Sequence, residues 1–375
     1  MPSAPRSTLR KVSDLLTYSI AKTAGAVLSR LPPRAAAALA RLSGRVLFHV
    51  LRRRQRIALR NLDIAFRSLR TLREKRRIAR QAFEHAAACL AWLAGRERWV
   101  TKERISEFFE PAPAEFALLE GPQPRGLAVL SSHVGDWELL HHYLILRGLP
   151  MSVVVREISN PHLERELRRI RSRNGASVIP KEGALREIRA VLRRGGVVGM
   201  IADQNDPRRR RFFPFFGTPA STYTEYARVL ARSGCRVVFV ACIREGSGLR
   251  HRIEVRDITP AEDRDIASAE VRDITPVEVR DIAPAEDQDI TSAEDPAPEA
   301  AEDPLEALKR KADAIVRSYL KATEDLVARH PEQYLWIHRR WKSRPTGAPW
   351  LYHRLGHPLD PGLLAVDNPD GEAAQ

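Results

Sequence analysis

From Gly126 onward, short apolar runs alternate with amphipathic stretches, and no other feature limits the fold as tightly. "GLAVLSS", "PMSVVVRE", "GASVIP", "GGVVGMIAD" and "CRVVFVACI" read as strands. Between them, "NPHLERELRRIRSRNG" and "KEGALREIRAVLRRGG" carry apolar residues at helical spacing. Runs of four to seven apolar residues, separated by helices, predict an α/β fold with a largely parallel sheet flanked by helices. At 375 residues the chain can bury a substantial core.

The region before Gly126 has a different rhythm. Val12, Leu15, Leu16, Ile20, Ala24, Val27, Leu28 and Leu31 recur at three- and four-residue steps and predict a helix with one apolar face. "LPPR" breaks it. Leu39, Leu42, Val46, Leu47, Val50 and Leu51 then line a second helix, which runs into "RRRQR" at Arg52 to Arg56. An apolar face bordered by arginines suits an anionic membrane interface. It equally suits a soluble helix packed on its own core, and on spacing alone the second reading is the plainer one. No stretch approaches the roughly 20 apolar residues of a bilayer span, and no secretory signal stands out.

Beyond the strands the composition inverts. From Glu254 to Ala293 five octads follow in tandem: EVRDITPA, EDRDIASA, EVRDITPV, EVRDIAPA and EDQDITSA. With the Pro/Ala/Glu stretch to Asp303 they hold 17 acidic and 4 basic residues, so the rest of the chain carries +28 against a whole-chain charge of +15. Each unit offers two apolar positions and most contain proline, too little to bury a core, so a disordered insertion is expected. Asp303-Pro304 reads as the N-cap and first residue of a closing helix. The expected organisation is therefore 1–100, N-terminal helices associating with the membrane; 101–253, the α/β core; 254–303, the acidic insertion; 304–345, a helix and motif completing the core; and 346–375, a poorly ordered tail.

A pI of about 10.2 points to anionic partners. Nucleic acid is not expected among them: aromatic residues are 6% of the chain, and no helix-turn-helix, RNP or zinc signature is present. Cys89, Cys235 and Cys242 form no CxxC or zinc pattern and read as free thiols.

"SSHVGDWE" ends the first strand with chemistry. His133 stands at a carboxyl strand end, where open α/β sheets bind ligands. Gly135 permits a sharp turn, and Asp136 can cap the next helix. Glu138 then lies in that helix's first turn, close enough across the corner to touch one imidazole nitrogen and leave the other to take a proton from a substrate hydroxyl. Glu138 can equally serve only the helix dipole, with His133 a satisfied turn residue.

"HVGDWE" resembles the H-x4-D/E motif of the lysophospholipid acyltransferase superfamily, in particular its bacterial lipid A biosynthesis (lauroyl/myristoyl) branch and the related mycobacterial mannoside acyltransferases. Other segments resemble signatures of that branch: "RRRQRIALRNLDIAF", "RSRNG", "GGVVGMIADQN", "FFPFFGTPASTYTEYARVLA" and the long "PEQYLWIHRRWKSRP". The resemblance spans roughly Leu15 to Pro345, apart from the octads, which depart from the family.

The resemblance implies transfer of a fatty acyl chain from acyl carrier protein or acyl-CoA, as co-substrate, to a hydroxyl of a glycolipid or lysophospholipid, with no metal or cofactor. It implies His133 as general base oriented by Glu138, and Arg171 as donor to the oxyanion. Asp203, Arg173, Phe216, Gly217, His338 and Arg339 are the expected substrate contacts. It also favours attachment of the N-terminal helices to the cytoplasmic face of the inner membrane. The alternatives are a non-catalytic membrane-surface protein on the same fold, or a nucleic-acid-binding protein.

Overall fold

The computed structural model describes residues 8–121, 123–173, 175–208, 210–246, 248–264 and 303–352. Four helices come first: α1 (Thr8–Arg30), α2 (Pro33–Val50), α3 (Arg52–Phe66) and α4 (Leu72–Trp99). Thr71 starts α4 with a reciprocal capping box: its Oγ1 accepts from Glu74 N, and its backbone N–H donates to Glu74. After the short helices α5 (Ile105–Phe108) and α6 (Ala117–Glu120), the alternation begins.

It runs β1 (Leu127–Ser131), α7 (Trp137–Leu146), β2 (Ser152–Val155), α8 (Pro161–Arg171), β3 (Ser177–Pro180), α9 (Ala184–Arg193) and β4 (Val197–Ile201). A hairpin, β5 (Arg211–Phe215) and β6 (Thr218–Thr222), interrupts it before α10 (Glu225–Ser233), β7 (Arg236–Arg244), β8 (His251–Asp257) and α11 (Pro304–Arg329). The sheet order is β3-β2-β4-β1-β7-β8, with β8 antiparallel to β7 and the other pairings parallel. This is the expected α/β sheet, and all five expected strands are in it. The hairpin and β8 were not anticipated. Two positive-φ residues, Phe216 at 50° and Gly217 at 66°, form the hairpin's turn, the twist a two-residue hairpin loop requires.

Side chains alternate across the sheet, giving two cores. One face packs Ala128, Leu130, Val198 and Met200 under α9, α10, α11 and the inner sides of α3 and α4. The other packs Leu127, Val129, Val238 and Val240 under α7 and Trp92 of α4.

Three expected boundaries move. Residues 1–100 are not one peripheral region, because Ile57, Leu62, Ile78 and Phe83 of α3 and α4 belong to the main core. The octads do not begin outside the fold: Glu254–Asp257 finish β8, Ile258 is buried, Thr259 bonds Val237, and Asp263 receives Lys311 Nζ at 2.7 Å. Residues 265–302, the rest of the octads and the Pro/Ala/Glu stretch, lie outside the described residues, as does the tail from 353. Residues 346–352, placed in a poorly ordered tail, return to the core through Tyr352, whose hydroxyl donates to Asn61 Oδ1 at 2.6 Å.

α1 and α2 behave differently from α3 and α4. No residue of α1 is buried. Val12, Leu15, Leu16 and Ile20 on α1, and Leu42, Val46 and Val50 on α2, stand in solvent at 51–64% exposure. Most of the residues whose spacing marked the apolar faces point outward, while Leu28 and Leu31 pack against the core. Patches of this kind on a soluble domain mark interaction surfaces. Among the described residues no helix is long and apolar enough to cross a membrane.

Candidate active site

β1 and β4 are neighbours over five registered pairs ending at Ser131↔Ile201, so the residues just past their ends meet. There the carboxylate of Asp203 holds His133 twice. Oδ2 accepts the His133 backbone N–H at 3.0 Å, and Oδ1 accepts Nδ1–H at 2.6 Å. This puts the ring proton on Nδ1 and leaves Nε2 an acceptor, and the Gln204 amide donates to it at 3.3 Å. Trp137 meets the ring edge-to-face at 4.9 Å.

Asp203 is 1% exposed. Burial pushes its carboxyl up, but the His133 ring and its two N–H bonds outweigh burial and hold it below the usual range. Arg340, fully buried nearby, adds to the same direction. Its guanidinium is fixed by Ser221 O and Thr222 Oγ1, both at 2.7 Å.

Glu138 is not the carboxylate on His133. Both its oxygens accept from Arg171, and Arg96 donates to its backbone carbonyl at 2.6 Å with a longer approach to Oε2. Burial raises its carboxyl, and Arg171 and Arg96 more than reverse that. The five-residue spacing lets Glu138 line the same cleft as His133, but α7 turns it toward the C-terminal end of α8, where Arg171 sits. His141, one turn further on, also lines the cleft. It is buried, neither ring nitrogen has a partner among the described residues, and burial lowers its pKa to about 4.

The loop carrying His133 is clamped from below. Gly135 has φ +69°, and a Cβ there would collide with the Cys242 carbonyl, so only glycine fits. Asp136 caps α7 by accepting from Leu139 N. Tyr319 of α11 bridges the two strand ends: its hydroxyl donates to Ser131 O at 2.8 Å and accepts from Ala202 N at 3.0 Å. Leu335 N donates to His133 O, and Gly135 N to Gln333 O.

The other expected contacts fall elsewhere. Arg173 pairs with Glu97 on the surface. Phe216 packs on Phe66, its N–H donates to Glu324, and neither it nor Gly217 lines the cleft. His338 is a supporting residue: Nε2 accepts from Asn205 N, and burial lowers its pKa to about 4. Arg339 lies over the Tyr352 ring. Trp336 and Trp341 are core residues, so "WIHRRW" is packed into the fold rather than exposed. It instead receives the N-terminal motif, because Asn61 Nδ2 donates to the carbonyls of Trp336 and His338.

A cleft of about 710 Å³ opens at His133 and straddles the sheet. The sheet itself forks there. β2 pairs with β4 only at Ser152↔Val198 and Val153↔Gly199, then continues with β3 to Val155. On the α7 face one arm holds an apolar row, Val129, Gly199 and Val153 across the strands with Leu140, Met151 and Leu167 around it, bordered by Glu138, His141 and Arg171. That row lies two residues, about 7 Å, below the strand ends. On the α9 face the second arm is lined by Lys181, Asn205, Asp206, Tyr223 and Tyr226 beside the apolar Val154, Ile188 and Met200. A base whose Nε2 meets no hydroxyl or thiol among the described residues, beside an apolar slot, suits deprotonation of a substrate hydroxyl.

Comparison with known proteins agrees. The profile of the family described as bacterial lipid A biosynthesis acyltransferase matches residues 5–278 and 300–343. The chain is 25% identical over 304 residues to the lipid A biosynthesis palmitoleoyltransferase of Escherichia coli (strain K12), covering 80% of this chain and 83% of that one. A lipid A biosynthesis acyltransferase of Shigella flexneri matches to the same extent. The lipid A biosynthesis lauroyltransferase of Escherichia coli (strain K12) is 24% identical over 313 residues, covering 82% and 86%.

Proposed function

The chain belongs to the bacterial lipid A biosynthesis acyltransferase family and is an acyltransferase; from that premise we propose that it esterifies a hydroxyl of a lipid A precursor-like glycolipid with a fatty acyl chain from an acyl carrier protein or coenzyme A thioester. The observation that carries the reading is the Asp203–His133 pair, Nδ1–H on the carboxylate and Nε2 bare of a proton, at the mouth of an apolar arm.

In this reading the acceptor hydroxyl replaces the Gln204 amide at Nε2. Nε2 takes its proton as the oxygen attacks the thioester carbonyl, and Asp203 stabilises the imidazolium. The tetrahedral oxyanion takes donors from the displaced Gln204 amide and from Arg171, whose Nη1 has no partner among the described residues. Collapse breaks the C–S bond, and the leaving thiolate takes the proton back from Nε2. Glu138 serves by holding Arg171 in place. The steps use no cofactor beyond the thioester donor.

The apolar faces of α1 and α2 support docking on the membrane that holds the acceptor, on the cytoplasmic leaflet where thioester donors are at hand. α1 also touches α8, a wall of the cleft, through Asn160 Nδ2 to Asp14 O. Lipid mass spectrometry on cells with the wild-type protein, with His133→Ala and with neither tests the reading. One lipid species should gain an acyl chain only with the wild type. Identical lipids in all three would remove the acyl-transfer reading and leave a non-catalytic surface protein.

A further inference from the structure

The second arm of the cleft carries, in its wall, polar atoms that nothing among the described residues satisfies. Tyr226 is 0% exposed, and its hydroxyl has no hydrogen-bond partner among the described residues. Asp206 is buried too: Oδ1 accepts from Arg208 N, and Oδ2 is unpaired. Both line the cleft. Lys181, half-buried at the end of β3, puts its Nζ over the Tyr223 ring, 4.4 Å from the centroid. Burial lowers its pKa, and Asp206 works against that shift.

An alkyl chain laid here would leave a hydroxyl and a carboxylate oxygen dry and unbonded, each at a cost of about 1–3 kcal/mol. A phosphate would find Lys181 and Arg156 in the cleft wall but would meet the buried Asp206 carboxylate as a like charge. An uncharged polyol fits all three groups. Its hydroxyls donate to Asp206 Oδ2, accept from Lys181 Nζ, and do either with Tyr226 Oη. The fork between β2 and β4 joins this arm to the apolar one in a single cleft that opens at His133.

We propose that the arm formed by Lys181, Asp206 and Tyr226 is the subsite for the acceptor's sugar ring, which the sheet fork separates from the slot for the donor's acyl chain. The assignment rests on the acyl-transfer reading for its purpose but not for its test.

The probes are n-octyl β-D-glucoside and n-octyl phosphate, each below its micelle concentration, titrated calorimetrically into the full-length protein. The variants are Tyr226→Phe, Asp206→Asn and Lys181→Met. Tyr226→Phe deletes an unpaired hydroxyl, so its melting temperature should equal or exceed that of the wild type. The octyl glucoside should bind about tenfold more weakly to Tyr226→Phe and to Asp206→Asn than to the wild type, while the octyl phosphate gains on Asp206→Asn. Comparing variants cancels detergent that adheres to the exposed faces of α1 and α2.

Equal glucoside binding in the wild type, Tyr226→Phe and Asp206→Asn would overturn the subsite. So would an octyl phosphate that binds the wild type more tightly than the glucoside and loses this with Lys181→Met, which would make the arm an anion site. Should the lipid experiment show no acyl transfer while glucoside binding still depends on Tyr226, the sugar site stands and the transferase reading falls. Intact transfer with indifferent glucoside binding does the reverse.

Discussion

Asp203→Asn should nearly abolish turnover in a protein that still folds, and the hydrogen bonds give the reason. Asp203 accepts two bonds from one residue, from the backbone N–H and from Nδ1 of His133. Asparagine has a single acceptor oxygen. The backbone N–H can only donate, so the oxygen stays with it and the amide NH2 turns to Nδ1. A donor facing Nδ1 moves the ring proton to Nε2, the nitrogen that must be bare. In histidine–carboxylate pairs this tautomer reversal costs about 10⁴ in kcat, or about 5 kcal/mol at 1.36 kcal/mol per decade. Here kcat should fall by about 10³–10⁴ with KM little changed, read from thiol release by the acyl donor. Nitrogen NMR of the imidazole should show Nε2 protonated.

Glu138→Gln supplies the contrast. It leaves the tautomer alone, strips the charge that faces Arg171 and Arg96, and should act through stability and KM. If Asp203→Asn kept kcat within about tenfold of wild type while Glu138→Gln lost about 10³, the assignment of the orienting carboxylate would be refuted.

Gly199→Leu should shorten the acyl chain accepted. A Cβ there would already lie 3.2 Å from Met151 Sδ and from Val153 Cγ1, so the added side chain fills the apolar arm. Rates across a series of saturated donors should drop about tenfold at the long end only, and a uniform drop would argue against the arm. Asp136→Asn should stabilise the protein increasingly with pH. Burial lifts this carboxyl from 3.8 to about 7, so the wild-type fold loses stability as pH rises between those values and levels off above, while the amide still caps Leu139; thermal melts across that range check the widening gap. Deleting residues 270–293 should leave melting temperature and turnover unchanged, whereas Ile258→Asp, which buries a charge beside β8, should lower the melting temperature clearly; an equal effect of both would mean the later octads share the structural role of the first.

The parallel strands were readable because each is a short apolar run between helices, and burial on both faces demands that pattern. β5 and β6 hid behind Pro214 and Pro219, which do not belong in a central strand and sit here in a two-stranded hairpin. β8 hid because "EVRD" recurs down the octads, and nothing local distinguishes the copy that pairs with β7. The site shows the same limit. His133, its strand-end position and the Asp136 cap follow from local sequence. The choice between Glu138 and Asp203 does not: one is five residues away, the other seventy, and only the β1–β4 register brings the distant one into contact. Arg173, Phe216, Gly217 and Arg339 come from segments that resemble family signatures, and such a likeness does not say which way each side chain points.

The Tyr319 bridge has a bearing on when the enzyme becomes active. Its hydroxyl meets Ser131 across 188 residues, and Leu335 and Gln333 secure the same loop from still further along the chain. A ribosome that has delivered everything through β8 has made every strand, His133 and Asp203, yet not the clasp that locks them in register. Closing so long a loop is entropically slow. A chain cut short within the octads would therefore hold every described strand, His133 and Asp203, yet lack the clasp that completes the site.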